Sequence, residues 1–110
     1  ILILGFAFKE NCRDIRNTKV IDIVKNLENY KINVDIVDPL IDTNVARDIY
    51  KVEVFNKIPK GKKYNSVILS VAHNKFKMFN EEDWRNLIKE NGIYFDIKGI
   101  MPRNLGAIRL

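Results

Sequence analysis

The sequence predicts an α/β domain, a Rossmann-like three-layer fold with a mainly parallel sheet. Three observations carry that expectation. Apolar runs of strand length alternate with stretches of helical periodicity, capping or turn residues mark the changes of pattern, and 110 residues suffice for one domain and not two.

Ile1 to Leu4 is a continuous apolar run closed by Gly5, the pattern of a strand buried on both faces. From Thr18 onward Val20, Ile21, Ile23, Val24 and Leu27 form an apolar stripe at helical spacing, opposite Asp22, Lys25 and Asn26. Asn17 or Thr18 caps this helix and Asn29-Tyr30-Lys31 ends it. Ile32, Val34, Ile36 and Val37 then read as a second strand, stopped by Asp38-Pro39. A strand, helix, strand unit needs a crossover, and such crossovers make parallel, right-handed neighbours. A second round follows: a short helix over Thr43 to Tyr50, an irregular stretch from Lys51 to Asn65 with Val52 and Val54 as a short extended piece, and a buried strand over Val67 to Ala72. Asn80 before Glu81, Glu82 and Asp83 starts another helix, because a capping side chain and first-turn acids both suit a helix N-terminus. Trp84, Leu87 and Ile88 give it a core face, Asn91-Gly92 closes it, and Ile93 to Phe95 is the fourth strand.

Composition narrows the function classes. With 46% hydrophobic and 30% charged residues the chain is neither disordered nor a disulfide scaffold, and its lone Cys12 makes no internal disulfide, which suits a reducing cytoplasmic setting. No apolar run approaches the roughly 20 residues of a membrane helix, and no partner membrane is expected. The net charge of +5 favours an anionic ligand. Lys57, Lys60, Lys62 and Lys63 have only Tyr64 beside them as a stacking platform, so they read as a solvated loop and not as a nucleic-acid patch. The chain opens on Ile1-Leu2-Ile3-Leu4 without an initiator Met or a signal peptide, so residues 1–110 are expected to be one domain of a longer chain.

In parallel sheets ligands sit beyond the carboxyl ends of the strands. Here those ends are Phe6 to Lys9, Asp38-Pro39, His73-Asn74 and Asp96 to Gly99. Lys9, Asp38, His73 and Lys98 either line an anion pocket or are polar only for solvation. Gly5-Phe6-Ala7-Phe8-Lys9 carries bulky rings where a Gly-rich dinucleotide loop needs open backbone, so the domain is not expected to hold a whole dinucleotide. Lys9 can reach a phosphate with Phe8 offering a ring to a base; the residues alone favour the other arrangement, Phe8 in the core and Lys9 in water. Cys12 lacks a nearby His in sequence and reads as structural or incidental, not catalytic. His73 reads as a hydrogen-bonded strand-end residue, with no metal site expected. Asp14 and Arg16 either pair locally or Arg16 turns its fork to a ligand phosphate.

The stretch Gly5-Phe6-Ala7-Phe8-Lys9-Glu10-Asn11-Cys12-Arg13-Asp14-Ile15-Arg16-Asn17-Thr18-Lys19-Val20 resembles the opening of the C-terminal, UDP-binding domain of the UDP-glucose/GDP-mannose dehydrogenase family. Val34 to Pro39, Val67 to Asn74 and Phe95-Asp96-Ile97-Lys98-Gly99 resemble its later strands, so the likeness covers nearly the whole chain. The Glu-Asn-Cys run, Arg-Asn-Thr and Asp-x-Lys-Gly are most similar to the branch that oxidises UDP-N-acetylhexosamines to uronic acids for surface polysaccharide. The resemblance implies a three-part, homo-oligomeric enzyme, with NAD bound mainly by an N-terminal domain and the catalytic Cys in a central region. It also implies that Phe8, Lys9 and Lys98 contact the UDP-sugar and that Arg16 reaches NAD. Lys98 stands where UDP-glucose relatives have Arg, and Arg13 where Pro is frequent. The alternative from another class is a free-standing, non-catalytic nucleotide-binding or receiver-like module centred on Asp38.

Overall fold

A computed structural model describes residues 1–110. Along the chain run strand β1 (Leu2–Leu4), helix α1 (Val20–Asn29), β2 (Asp35–Val37), α2 (Thr43–Tyr50), β3 (Val54–Phe55), β4 (Tyr64–Leu69), α3 (Asn74–Lys77), α4 (Glu81–Arg85), β5 (Ile88–Asp96) and β6 (Ile108–Arg109). The six strands form one sheet in the order β3-β2-β1-β4-β5-β6, and every neighbouring pair is parallel. The expected Rossmann-like α/β fold is therefore present.

β1 sits at the centre of the sheet and shows why a short apolar strand suffices there. Leu2, Ile3 and Leu4 are all fully buried, and strand alternation sends them to opposite faces. Ile3 joins Val20, Val24, Ile36, Ala46 and Val54 under α1 and α2. Leu2 and Leu4 join Val37, Val67, Leu69, Phe76, Trp84 and Tyr94 under α3 and α4. Each face thus closes a core with helices of this same chain, and the Cα radius of gyration of 13.1 Å matches the roughly 13 Å of a compact domain of about 100 residues.

Caps decide the helix starts. Thr18 Oγ1 accepts the Val20 N–H at 3.2 Å, Asp42 Oδ1 accepts those of Asn44 and Val45, and Asn80 with Asp83 forms a reciprocal capping box. Three boundaries differ from the sequence expectation. β4 occupies Tyr64–Leu69, because at Ser70 the chain turns out of the ladder and the Ser70 and Val71 N–H groups both donate to the Leu4 carbonyl. α4 stops at Arg85, since Tyr64 draws the Leu87 carbonyl into the sheet and Ile88 pairs with Tyr64. Asn91-Gly92, read as a helix terminator, is instead an irregularity inside β5, where Asn91 takes φ 64° and two residues of β4 face five of β5. The periodicity also missed α3 and β6.

Gly5 ends β1 at φ +99°, and a Cβ there would lie 2.6 Å from Val71 Cβ and 2.8 Å from Val71 N. Gly106 is also left-handed, at φ +65°, but has open space around it. Gly5→Ala is therefore expected to lose more than about 2 kcal/mol of stability, and Gly106→Ala about 1 kcal/mol, in urea denaturation. Equal losses would show that the Val71 contact does not matter.

Candidate functional site

The loop after β1 is anchored by one buried carboxylate. Asp38, fully buried at the end of β2, accepts the Phe6 and Ala7 N–H groups on Oδ2 at 2.7 and 2.9 Å, and the Leu40 N–H on Oδ1 at 2.9 Å. Its Oδ2 also lies 2.9 Å from Nε2 of His73, which is 1% exposed. His73 Nδ1 accepts the Asn11 N–H at 2.9 Å, so the ring proton sits on Nε2 and is donated to Asp38. Asn11 closes the tie by accepting the Asn74 N–H. Burial pushes the Asp38 carboxyl up, but the hydrogen bonds from His73, Phe6 and Leu40 outweigh it, and the net shift is downward.

A second buried carboxylate does the same at the far side of the site. Asp96, fully buried at the end of β5, accepts the N–H groups of Gly99, Ile100 and Met101 at 2.7, 3.1 and 2.8 Å, with the Arg109 guanidinium 3.5 Å away. The turn it fixes carries Lys98.

Between these two anchored loops lies a cleft of about 300 Å³, lined by Ala7, Phe8, Lys9, Asn17, Lys19, Val20, Ser70, Val71 and Lys98. Strand order reverses between β1 and β4, and the cleft sits at that switch point, where α/β sheets place their ligands. Three of the four residues singled out by resemblance, Phe8, Lys9 and Lys98, meet here. Phe8 is 53% exposed, so the reading that put it in the core is corrected: Phe6 fills that place, edge-on to Tyr50 at 5.5 Å. The four-residue anion pocket is corrected as well, since Asp38 and His73 lie beneath the loops as their anchor and only Lys9 and Lys98 reach the cleft. A buried Asp38 whose oxygens are bound by its own chain also leaves a receiver-like role without a phosphoacceptor. Sequence reasoning gave Asn17, Lys19 and Ser70 no place in the cleft; the basic Lys19 at a helix start was the one legible signal.

Arg16 lies apart from the cleft. Its Nε and guanidinium nitrogen bond both carboxylate oxygens of Asp14, with the closest contact at 2.8 Å, and its side chain is 79% exposed. The local pairing read from the sequence is thus present, and hydrogen bonds from the Arg16 side chain and backbone hold Asp14 down to about 2. Cys12 is half-buried, and its Sγ accepts the Asp14 N–H at 3.4 Å.

The profile of the UDP-glucose/GDP-mannose dehydrogenase family, UDP binding domain, matches residues 2–103. The chain belongs to that family. It is 41% identical over 110 residues to a UDP-N-acetyl-D-glucosamine 6-dehydrogenase of Salmonella typhi and 38% identical over 110 residues to one of Pseudomonas aeruginosa, matching all of this chain and 26% of each relative. It is 42% identical over 99 residues to Protein CapL of Staphylococcus aureus, which is 90% of this chain and 23% of that protein. The chain therefore spans about a quarter of the length of these relatives and corresponds to the UDP binding domain of that family.

Two outcomes test the geometry. Asp38→Ala strands three backbone N–H groups and His73, and is expected to cost about 3–5 kcal/mol in urea denaturation; a loss below about 1 kcal/mol would deny the anchor its role. The lowered Asp14 carboxyl makes its pairing with Arg16 complete above the ordinary carboxylate value near 4 and lost as pH falls through about 2. NMR titration of the Asp14 carboxyl should give that midpoint, and Arg16→Ala should raise it only part of the way to the ordinary range, because the residue 16 N–H still donates to Asp14.

Proposed function

We propose that this chain is the substrate-capping, C-terminal domain of an NAD-dependent nucleotide-sugar 6-dehydrogenase. Its substrate is a UDP-N-acetylhexosamine, oxidised at C6 to the uronic acid for polysaccharide synthesis in the cytoplasm. The observation that carries this reading is the meeting of Phe8, Lys9 and Lys98 in one cleft at the sheet's switch point. The half-exposed Phe8 ring offers an apolar wall, and the two ammonium groups offer charge to a diphosphate. The names of the Salmonella and Pseudomonas relatives support the UDP-N-acetylhexosamine as substrate.

NAD finds no dinucleotide cradle in these residues. The Phe6 and Ala7 N–H groups, which open the loop after β1, are bonded to Asp38 and face no ligand. The cofactor belongs to another domain of the longer chain, with Arg16 as this domain's reach toward it once released from Asp14. Cys12, bonded to the Asp14 N–H and without a histidine partner, is not the nucleophile. The 110-residue chain therefore binds substrate and turns nothing over.

Titration of the ¹⁵N-labelled chain with UDP-N-acetylglucosamine is expected to shift Phe8, Lys9 and Lys98 saturably, with Lys9→Ala and Lys98→Ala each weakening binding about tenfold. Saturable shifts centred on another surface would overturn the assignment.

A further inference from the structure

Two side chains of the cleft are at odds with the fold taken alone. Ser70 is 7% exposed, and its Oγ is the single buried side-chain oxygen or nitrogen without a hydrogen-bond partner. The other buried polar side chains, among them Ser66 and Thr18, are all paired. A hydroxyl enclosed without a partner destabilises a fold and calls for a reason.

Lys19 stands immediately before α1 and makes no side-chain capping bond. Its charge is placed at the positive end of the helix dipole, where an acid is the favoured residue. Asp22, the acid of the first turn, is not within ion-pair distance of it. Lys9 and Lys98 likewise have no carboxylate partner and border the same cavity. Three unpaired ammonium groups and an unpaired hydroxyl therefore border one cavity.

We propose that Lys19 and Ser70 are ligand-binding residues, and that with Lys9 and Lys98 they make the cleft a phosphate or diphosphate site. The proposal rests on reading the cleft as the nucleotide-sugar site and adds two residues to it. An anion resolves both conflicts at once: it neutralises the lysine at the helix start and gives the serine hydroxyl an acceptor, reached by rotation about its one side-chain bond. Lysine point charges suit phosphate oxygens, whereas the arginine forks nearby are turned away, Arg16 to Asp14 and Arg13 to the Leu40 carbonyl.

The test titrates the ¹⁵N-labelled chain and its Lys19→Gln, Ser70→Ala and Lys25→Gln variants with inorganic pyrophosphate, UDP and uridine, with amide dispersion checking each fold. Pyrophosphate and UDP are expected to shift the Lys19 and Ser70 amides. Lys19→Gln should weaken both ligands about tenfold and Ser70→Ala about threefold, while Lys25→Gln binds as the native chain does. Ser70→Ala should also melt no lower than the native chain, because it removes the unpaired hydroxyl; a serine kept for structure would show the reverse. Native affinity in both Lys19→Gln and Ser70→Ala overturns the proposal and leaves the nucleotide-sugar reading standing on Lys9 and Lys98. Pyrophosphate binding at Lys19 and Ser70 without any UDP binding upholds the proposal and sinks that reading. Binding of neither ligand overturns both.

Discussion

The Asp38 carboxylate is the constraint on which the ligand-facing edge of the sheet depends. Parallel strands end in loops whose first N–H groups have left the ladder and still need acceptors. Asp38 supplies one acceptor to β1's loop at Phe6 and Ala7, another to its own loop at Leu40, and a third bond, through His73, to the chain beyond β4. Three consecutive positions in the sheet, β2, β1 and β4, are thereby joined at their carboxyl ends by one side chain. Charge is what makes this possible, since an ionised carboxylate accepts several hydrogen bonds at once and a neutral amide of the same size accepts fewer.

The same device recurs at Asp96, and the repetition explains how two distant lysines come to face one cleft. Each aspartate is fully buried, each ends a strand, and each collects backbone N–H groups from the loop that carries a cleft lysine. Lys9 and Lys98 are therefore flexible at their tips but fixed at their stems. Gly5 completes the arrangement, because only a residue without Cβ lets the loop after β1 pass over Val71 at the switch point.

What was legible in the sequence follows from which interactions are local. The Asn80 capping box, the span of α2 and the apolar stripe of α1 are contained within a turn or two of chain, and all were readable. Asn91-Gly92 was misread because a left-handed Asn before Gly ends helices and interrupts strands equally well; only the pairing of Ile88 and Ile93 with β4 decides between them. Phe8 was misread because composition assigns a large ring to the core, and nothing in the local sequence says that Phe6 already occupies it. β6 pairs only two residues, too few for a periodic signal.

The site residues divide along the same line. The resemblance singled out Phe8, Lys9 and Lys98, which the fold brings to one cleft, but the spacing could not separate Asp38 and His73, which hold the cleft's loops, from Lys9 and Lys98, which face the cavity. Burial makes that separation: a strand-end aspartate at zero exposure with backbone donors bound to it is a part of the frame, whereas the exposed Lys9 and Lys98 stand at the cleft without a carboxylate partner. The frame is complete without a ligand, and the one buried hydroxyl left without a partner, that of Ser70, borders the cleft at the point where the order of the strands reverses.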